Sequence, residues 1–311
     1  MNQTTTTREH PRAVLLTGAA GGVGRVLTEA LVARGYLVYA AARRPDDPRL
    51  VEGSRVRPVS LDVTDPDSVA RAAAEVAGAQ EGRGLHAVIN NAGLIVQGPI
   101  ELLAPADLRL QFDVNVIGPA TVLGAFLPLL RAGRGRVVNI SAATARVAVP
   151  MMGPIAASKA ALESLSDALR VELAPWGVPV SIVEPGAMET SIFAKAAAQA
   201  GGALAAVPAE RRALYEPSLA AVAEANASAT LHPVDTIVGP VLAALSARRP
   251  KPRYVSGSDA RALVMLAHLP VRTRDRVLAR ALGLHRLPRA AEGPPAAPGP
   301  GAATEPGGAA A

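Results

Sequence analysis

Between Ala13 and Glu184 the chain alternates short apolar runs with longer stretches of mixed polarity. The runs AVLLT, YLVYAAA, VRPVSLD, HAVINNA, GRVVNIS and VPVSIVEP read as strands. Continuous apolar runs suit strands buried on both faces, and the intervening stretches are long enough for crossover helices. The rhythm predicts an α/β fold, with a doubly wound parallel sheet and helices on both faces. After Pro185-Gly186 the pattern loosens into AKAAAQAGGALAAVPAERRALYEP, helical in composition but weakly periodic, which predicts a mobile lid over about residues 191–230. From Pro233 a helix, a strand near Arg253 to Ser256 and two further helices close one domain over residues 13–287. Residues 1–12 read as a flexible N-terminus. The Pro/Gly/Ala tail at 288–311 holds too few large apolar residues to pack and is expected to be disordered.

Composition narrows the picture. A hydrophobic share of 50% over 311 residues is ample for one large core. Without cysteine the chain has no disulfide, no thiolate nucleophile and no Cys-based metal site, and nothing calls for an oxidising compartment. A cytoplasmic protein is expected. No stretch approaches the roughly 20 apolar residues of a membrane span, so no integral segment is expected. The net charge of +6 is concentrated at residues 248–289, where eleven Arg or Lys face only Asp259 and Asp275. Apolar and basic residues alternate there, the pattern of a pair of surface helices. Aromatic residues are only 3%, so the charge is not read as a nucleic-acid surface.

The stretch AVLLTGAAGGVGRVLTEALVARG combines a strand, a turn carrying Gly18, Gly22 and Gly24, and a helix from about Val23. Glycine permits close backbone approach to a pyrophosphate, and a helix N-terminus offers free N–H groups with partial positive charge. That order is the signature of a dinucleotide site. At the end of the second strand an acidic residue would bind a ribose 2′-hydroxyl, but Ala42 is followed by Arg43 and Arg44. Two cations suit a 2′-phosphate, so NADP(H) is expected over NAD(H), with Arg43 as the leading contact.

Taken in order, TGAAGGVG at 17–24, LDVT at 61–64, NNAG at 90–93, VNVIG at 114–118, VVNIS at 137–141, the helix ASKAALESLSDALRVELAPWGV and EPGAMET resemble the short-chain dehydrogenase/reductase family. The resemblance covers roughly residues 13–284 and implies a single-domain Rossmann fold, a homodimer or homotetramer, and hydride transfer between a nicotinamide and a carbonyl or alcohol. It places Asp62 and Val63 beside adenine, Asn90, Ala92 and Gly93 along the cofactor, and Pro185, Gly186 and Thr190 at the nicotinamide carboxamide. Asn115 matches the asparagine of a water-linked proton path. Lys159 matches the lysine that binds the nicotinamide ribose.

The resemblance also exposes a gap. The family's catalytic tyrosine lies four residues before the lysine, where this chain has Ile155. Its serine lies thirteen residues before the tyrosine, at Ala142. Ser141 is adjacent, although strand alternation turns it to the other face unless a bulge intervenes. Lys159 is expected to be occupied with ribose, and Tyr215 in the lid is a candidate external donor. Glu163 and Asp167 read as surface charges of the same helix. Apolar residues at 147–155, in VAVPMMGPI, suggest a wall for a small hydrophobic substrate. Three functions remain open: an NADP(H)-dependent oxidoreductase whose carbonyl, enone or imine substrate needs no side-chain phenol; a cyclase, dehydratase or isomerase on the same fold; and a non-catalytic NADPH-binding protein.

Overall fold

A computed structural model of the chain describes residues 10–287 apart from Ser228. The tail expected at 288–311 and most of the N-terminal segment lie outside the described residues. Seven parallel strands form one sheet in the order β3-β2-β1-β4-β5-β6-β7: β1 Ala13–Thr17, β2 Leu37–Ala42, β3 Val56–Ser60, β4 Ala87–Asn90, β5 Arg136–Ile140, β6 Val180–Pro185 and β7 Arg253–Ser256. All six runs read as strands from the apolar pattern are strands, and the seventh lies where it was expected.

Side-chain alternation along β1 divides the interior into two cores. Ala13 and Leu15 face Val88, Val122, Phe126 and Leu130 on one side of the sheet. Val14 and Leu16 face Leu27, Leu31, Ile237 and Leu245 on the other. The first layer is built by α2 (Pro66–Gln80), α4 (Gly118–Ala132) and α5 (Gly153–Glu172), and the second by α1 (Gly22–Ala33) and α9 (Val238–Ser246). A sheet covered on both faces is the doubly wound architecture, and the order in which strands are added switches sides between β1 and β4, opening a crevice at their C-terminal ends. This is a single-domain Rossmann fold.

The helix α3 (Pro105–Phe112), a five-residue π turn at Asp113–Ile117 and α4 join into an unbroken helical run, Pro105–Ala132, which matches a membrane span by length and composition only. It is a core helix, so the expectation of no integral segment stands. In the fold its second half packs Val122, Leu123, Phe126 and Leu130 into the core.

Beyond β6 come α6 (Ser191–Ala205), α7 (Ala209–Ala213) and α8 (Glu216–Ala227), which together bury only Ala196 and Val222. The basic segment forms α10 (Ser258–Leu266) and α11 (Val271–Ala281), and α11 buries no residue. The surface helix pair expected from its charge pattern is therefore what the chain folds into.

Candidate functional site

The crevice is lined first by glycines. Gly18 has φ +67°, and a β-carbon there would fall 2.8 Å from Ala92 Cα. At Gly24 a β-carbon would fall 2.3 Å from the Gly18 carbonyl oxygen, so only glycine lets α1 start this close to the turn. Gly22 lies under Thr190, whose Cγ2 would be 3.4 Å from an added β-carbon. Val23, partly buried, packs on the core behind the turn. The sequence reading passed over two residues that fix the crevice's far wall. Thr17 Oγ1 accepts the backbone N–H groups of Asn91 and Ala92, each at 3.0 Å, and Asn91 Nδ2 donates to the Thr17 carbonyl at 2.9 Å. Asn90 itself points sideways, donating to Asn139 Oδ1 at 2.9 Å, and Asn139 donates onward to Ser166 Oγ at 2.8 Å.

At the end of β2, Arg43 and Arg44 are both exposed. The nearby Asp47 does not neutralise them: it is engaged by Arg49 through two side-chain bonds at 2.9 and 2.6 Å, while Arg44 comes only to 3.8 Å. Bonds from Arg49 hold the Asp47 carboxyl well below the usual carboxylate range. Asp62 Oδ1 accepts from the Thr64 backbone and hydroxyl at 2.9 and 2.7 Å, shaping the loop after β3, and Val63 packs under Gly118.

The reacting end centres on α5, where Ile155, Lys159 and Glu163 share one face at four-residue spacing. Lys159 is buried and its Nζ donates to the Ile140 carbonyl at 2.7 Å. A β-carbon on Gly93 would lie 3.4 Å from Asn115 Oδ1 and 3.7 Å from Lys159 Nζ, so the strand-four loop, the asparagine and the ammonium meet at one point. Burial lowers the Lys159 pKa to about 8, against a partial opposing pull from Glu163. Asn115 is fully buried within the π turn; its Oδ1 accepts from Leu94 N–H at 3.0 Å, and its Nδ2 donates to Leu94 O at 3.0 Å and Ser158 Oγ at 3.3 Å. Gln111 makes the companion contacts, accepting from Val96 N–H at 2.6 Å and donating to Leu94 O at 2.9 Å.

On the N-terminal side of Lys159, Ile155 is buried with Ile95 and Ala196 against Met152, Ile192 and Phe193. This apolar cluster is shaped by strain: Met151 has φ +66°, and its carbonyl accepts from Gly98 N–H at 2.8 Å. Ala142 follows β5 without a polar side chain. Ser141 is taken up by Glu163, donating to Oε1 at 2.6 Å. Tyr215 is not brought to this point either; its hydroxyl donates to Glu101 Oε2 at 2.8 Å on the surface.

The surface reading of Glu163 is overturned, whereas Asp167 keeps a 41% exposed side chain, as expected of a surface charge. Glu163 is 5% exposed and is shared by Ser141, Arg146 and Arg253. Arg253 also reaches the fully buried Glu184 at 2.8 Å and Asp167 at 2.7 Å. Burial pushes the Glu163 carboxyl up, while Ser141 and Arg253 pull it back. Asp167, though also pushed up by burial, ends below its ordinary value through Arg170 and Arg253.

Residues 12–201 match the family described as short chain dehydrogenase. The chain belongs to the short-chain dehydrogenase family. It is accordingly an NAD(P)-dependent oxidoreductase. Among its relatives, retinol dehydrogenase 5 of Mus musculus is 35% identical over 280 residues, which cover 85% of this chain and 87% of that protein. The 3-amino-tetrahydro-pyrrolizinone reductase of Xenorhabdus hominickii is 31% identical over 259 residues, covering 80% of this chain and 88% of that one. A short-chain dehydrogenase from Burkholderia cenocepacia, solved in complex with NADP, superposes with a TM-score of 0.67 at 31% identity, covering 88% of this chain and 98% of that one.

Proposed function

We propose that this family member is an NADP(H)-dependent oxidoreductase of small hydrophobic substrates that draws no proton from a side-chain phenol. The observation that carries the proposal is the conjunction around Lys159: a cofactor crevice with its glycines, Asn115 and ammonium in place, and beside them the hydrocarbon cluster of Ile155, Ile95 and Ala196. In this reading the Gly18–Gly24 turn and the start of α1 take the pyrophosphate, and Arg43 with Arg44 takes the 2′-phosphate. Asp62 and Val63 face adenine, Asn90, Ala92 and Gly93 line the cofactor, Lys159 holds the nicotinamide ribose, and Pro185, Gly186 and Thr190 hold the carboxamide.

Bound NADPH supplies a hydride to an electrophilic carbon. The chain's own contribution is to orient that carbon and keep water from the hydride. General acid catalysis is worth about 10²–10⁴-fold, so without a phenol the suitable substrates carry their own activation. An iminium already bears the charge, and a conjugated enone can take its proton from water. The preference for NADP(H) is supported by the two exposed arginines after β2 and by the NADP in the Burkholderia cenocepacia relative. The hydrophobic substrate is supported by the apolar wall and by the kind of substrate named in retinol dehydrogenase 5.

Incubating the protein with NADPH and a panel of apolar ketones, enones and cyclic imines tests this. Loss of absorbance at 340 nm with an enone or imine, and little with a simple ketone, is expected. Cofactor binding without any oxidation across the panel sinks the proposal in favour of a non-redox or sensing role.

A further inference from the structure

The loop Pro185–Thr190 leaves β6 at the crevice, and its backbone is fixed from outside the segment that matches the family. Gly186 N–H donates to Ser256 O at 2.9 Å, Glu189 N–H to His232 O at 2.9 Å and Thr190 N–H to Met188 O at 2.8 Å. The fourth N–H, of Ala187, donates to a side chain, Asp259 Oδ2, at 2.7 Å. Among the described residues, the Met188 N–H alone in residues 186–190 has no hydrogen-bond partner.

Asp259 is pressed against this loop. A β-carbon on Gly186 would lie 2.0 Å from Asp259 Oδ1 and 2.3 Å from its Oδ2, so any side chain at 186 would displace the carboxylate from this loop. Gly257, at φ +102°, turns the chain so that α10 presents Asp259 in this direction. Asp259 Oδ1 is buried and lies 2.9 Å from His232 Nε2, off the line of a hydrogen bond. Ser258 Oγ lies 3.3 Å from the same nitrogen. His232 in turn closes a parallel bridge with Met188, its N–H donating to Ala187 O at 2.9 Å. Residues 187–189 and 232 are the two ends of the excursion that carries α6, α7 and α8.

We propose that Asp259 is a positioning residue for the nicotinamide end of the cofactor. By holding Ala187 N–H it fixes the loop with the Met188 N–H left free, and with His232 it clasps the neck of the α6–α8 excursion. The proposal rests on the reading of Pro185–Thr190 as the carboxamide loop.

The test compares two ligands. Adenosine 2′,5′-bisphosphate reaches only the Arg43 end of the crevice, whereas NADPH reaches both ends. Asp259→Ala should weaken NADPH binding roughly ten- to hundredfold, the loss of one charge-assisted bond, and leave the bisphosphate within about twofold. Asp259→Asn keeps an oxygen for Ala187 N–H and should restore most of the NADPH affinity and the enhancement of bound-NADPH fluorescence that Asp259→Ala loses. His232→Gln should keep NADPH affinity yet speed tryptic cleavage at Lys195, Arg211 or Arg212. An Asp259→Ala protein that loses both ligands equally, or neither, overturns the clasp. Uptake of the bisphosphate but not NADPH by the wild type overturns the carboxamide-loop reading instead, and uptake of neither overturns the cofactor reading beneath both.

Discussion

The two ends of one stripe on α5 differ in kind. At its N-terminal end Ile155 sits among Ile95, Ala196 and Phe193 with no polar partner for the reaction. At its C-terminal end Glu163 sits among two arginines and a serine, with Glu184 alongside. Lys159 stands between them, its ammonium lowered by burial and held up in part by Glu163. The polar end ties the chain after β5 to Glu184 of β6 and Arg253 of β7, whereas the apolar end packs against Ile95 and α6. A buried charge network maintains the scaffold at one end, and in the reading proposed above the other end is the hydrocarbon beside which hydride would be transferred.

The comparison is broken most directly by restoring polarity at the apolar end. Ile155→Tyr with Ala142→Ser is expected to raise reduction of an apolar ketone by about 10²–10⁴-fold, read as NADPH oxidation, if the pocket is otherwise competent. At the other end, Arg253→Met leaves Glu163 and Glu184 with Arg146 as their one remaining shared cation among the described residues. Breaking a buried pair costs about 3–5 kcal/mol, so urea unfolding should show a loss of that order. Substrate-free NADPH affinity should move little.

Between the two, Lys159→Met separates stability from binding. A lysine whose folded pKa is about 8, against an ordinary 10.5, is held in its charged form at a cost on the order of 3 kcal/mol. The substitution should therefore stabilise the cofactor-free protein at pH 7 and weaken NADPH. The wild type has the complementary signature: between pH 8 and 10.5 the unfolded chain binds the extra proton, so this group makes stability rise with pH through that window. Flat stability across it would contradict the burial argument. The smallest effect is at the far end of the crevice, where Arg43→Ala should cost NADPH about tenfold in affinity, the ordinary worth of one exposed charge-assisted contact, and leave NADH unchanged.

What could be read from the sequence follows from how local each cause is. The glycine turn was legible because Gly18 and Gly24 constrain each other within a few residues, and the strands because parallel strands buried on both faces must be apolar. Glu163 was misread as a surface charge because its partner Arg253 lies 90 residues on, and nothing near it signals burial. Asp259 was missed for the same reason: its contact with Ala187 spans 72 residues, and an aspartate in the first turn of a helix is ordinary. Thr17 and Asn91 stood within quoted motifs, but their roles are hydrogen bonds between β1 and the loop after β4, which only the strand order brings together.

Isothermal titration of the protein with NADPH and, separately, NADH tests most directly the claim that a nicotinamide nucleotide occupies this crevice beside Ile155. Saturable uptake of one NADPH per chain, at least about tenfold tighter than NADH as the two exposed arginines require, is the predicted result. No heat of binding for either nucleotide would contradict it.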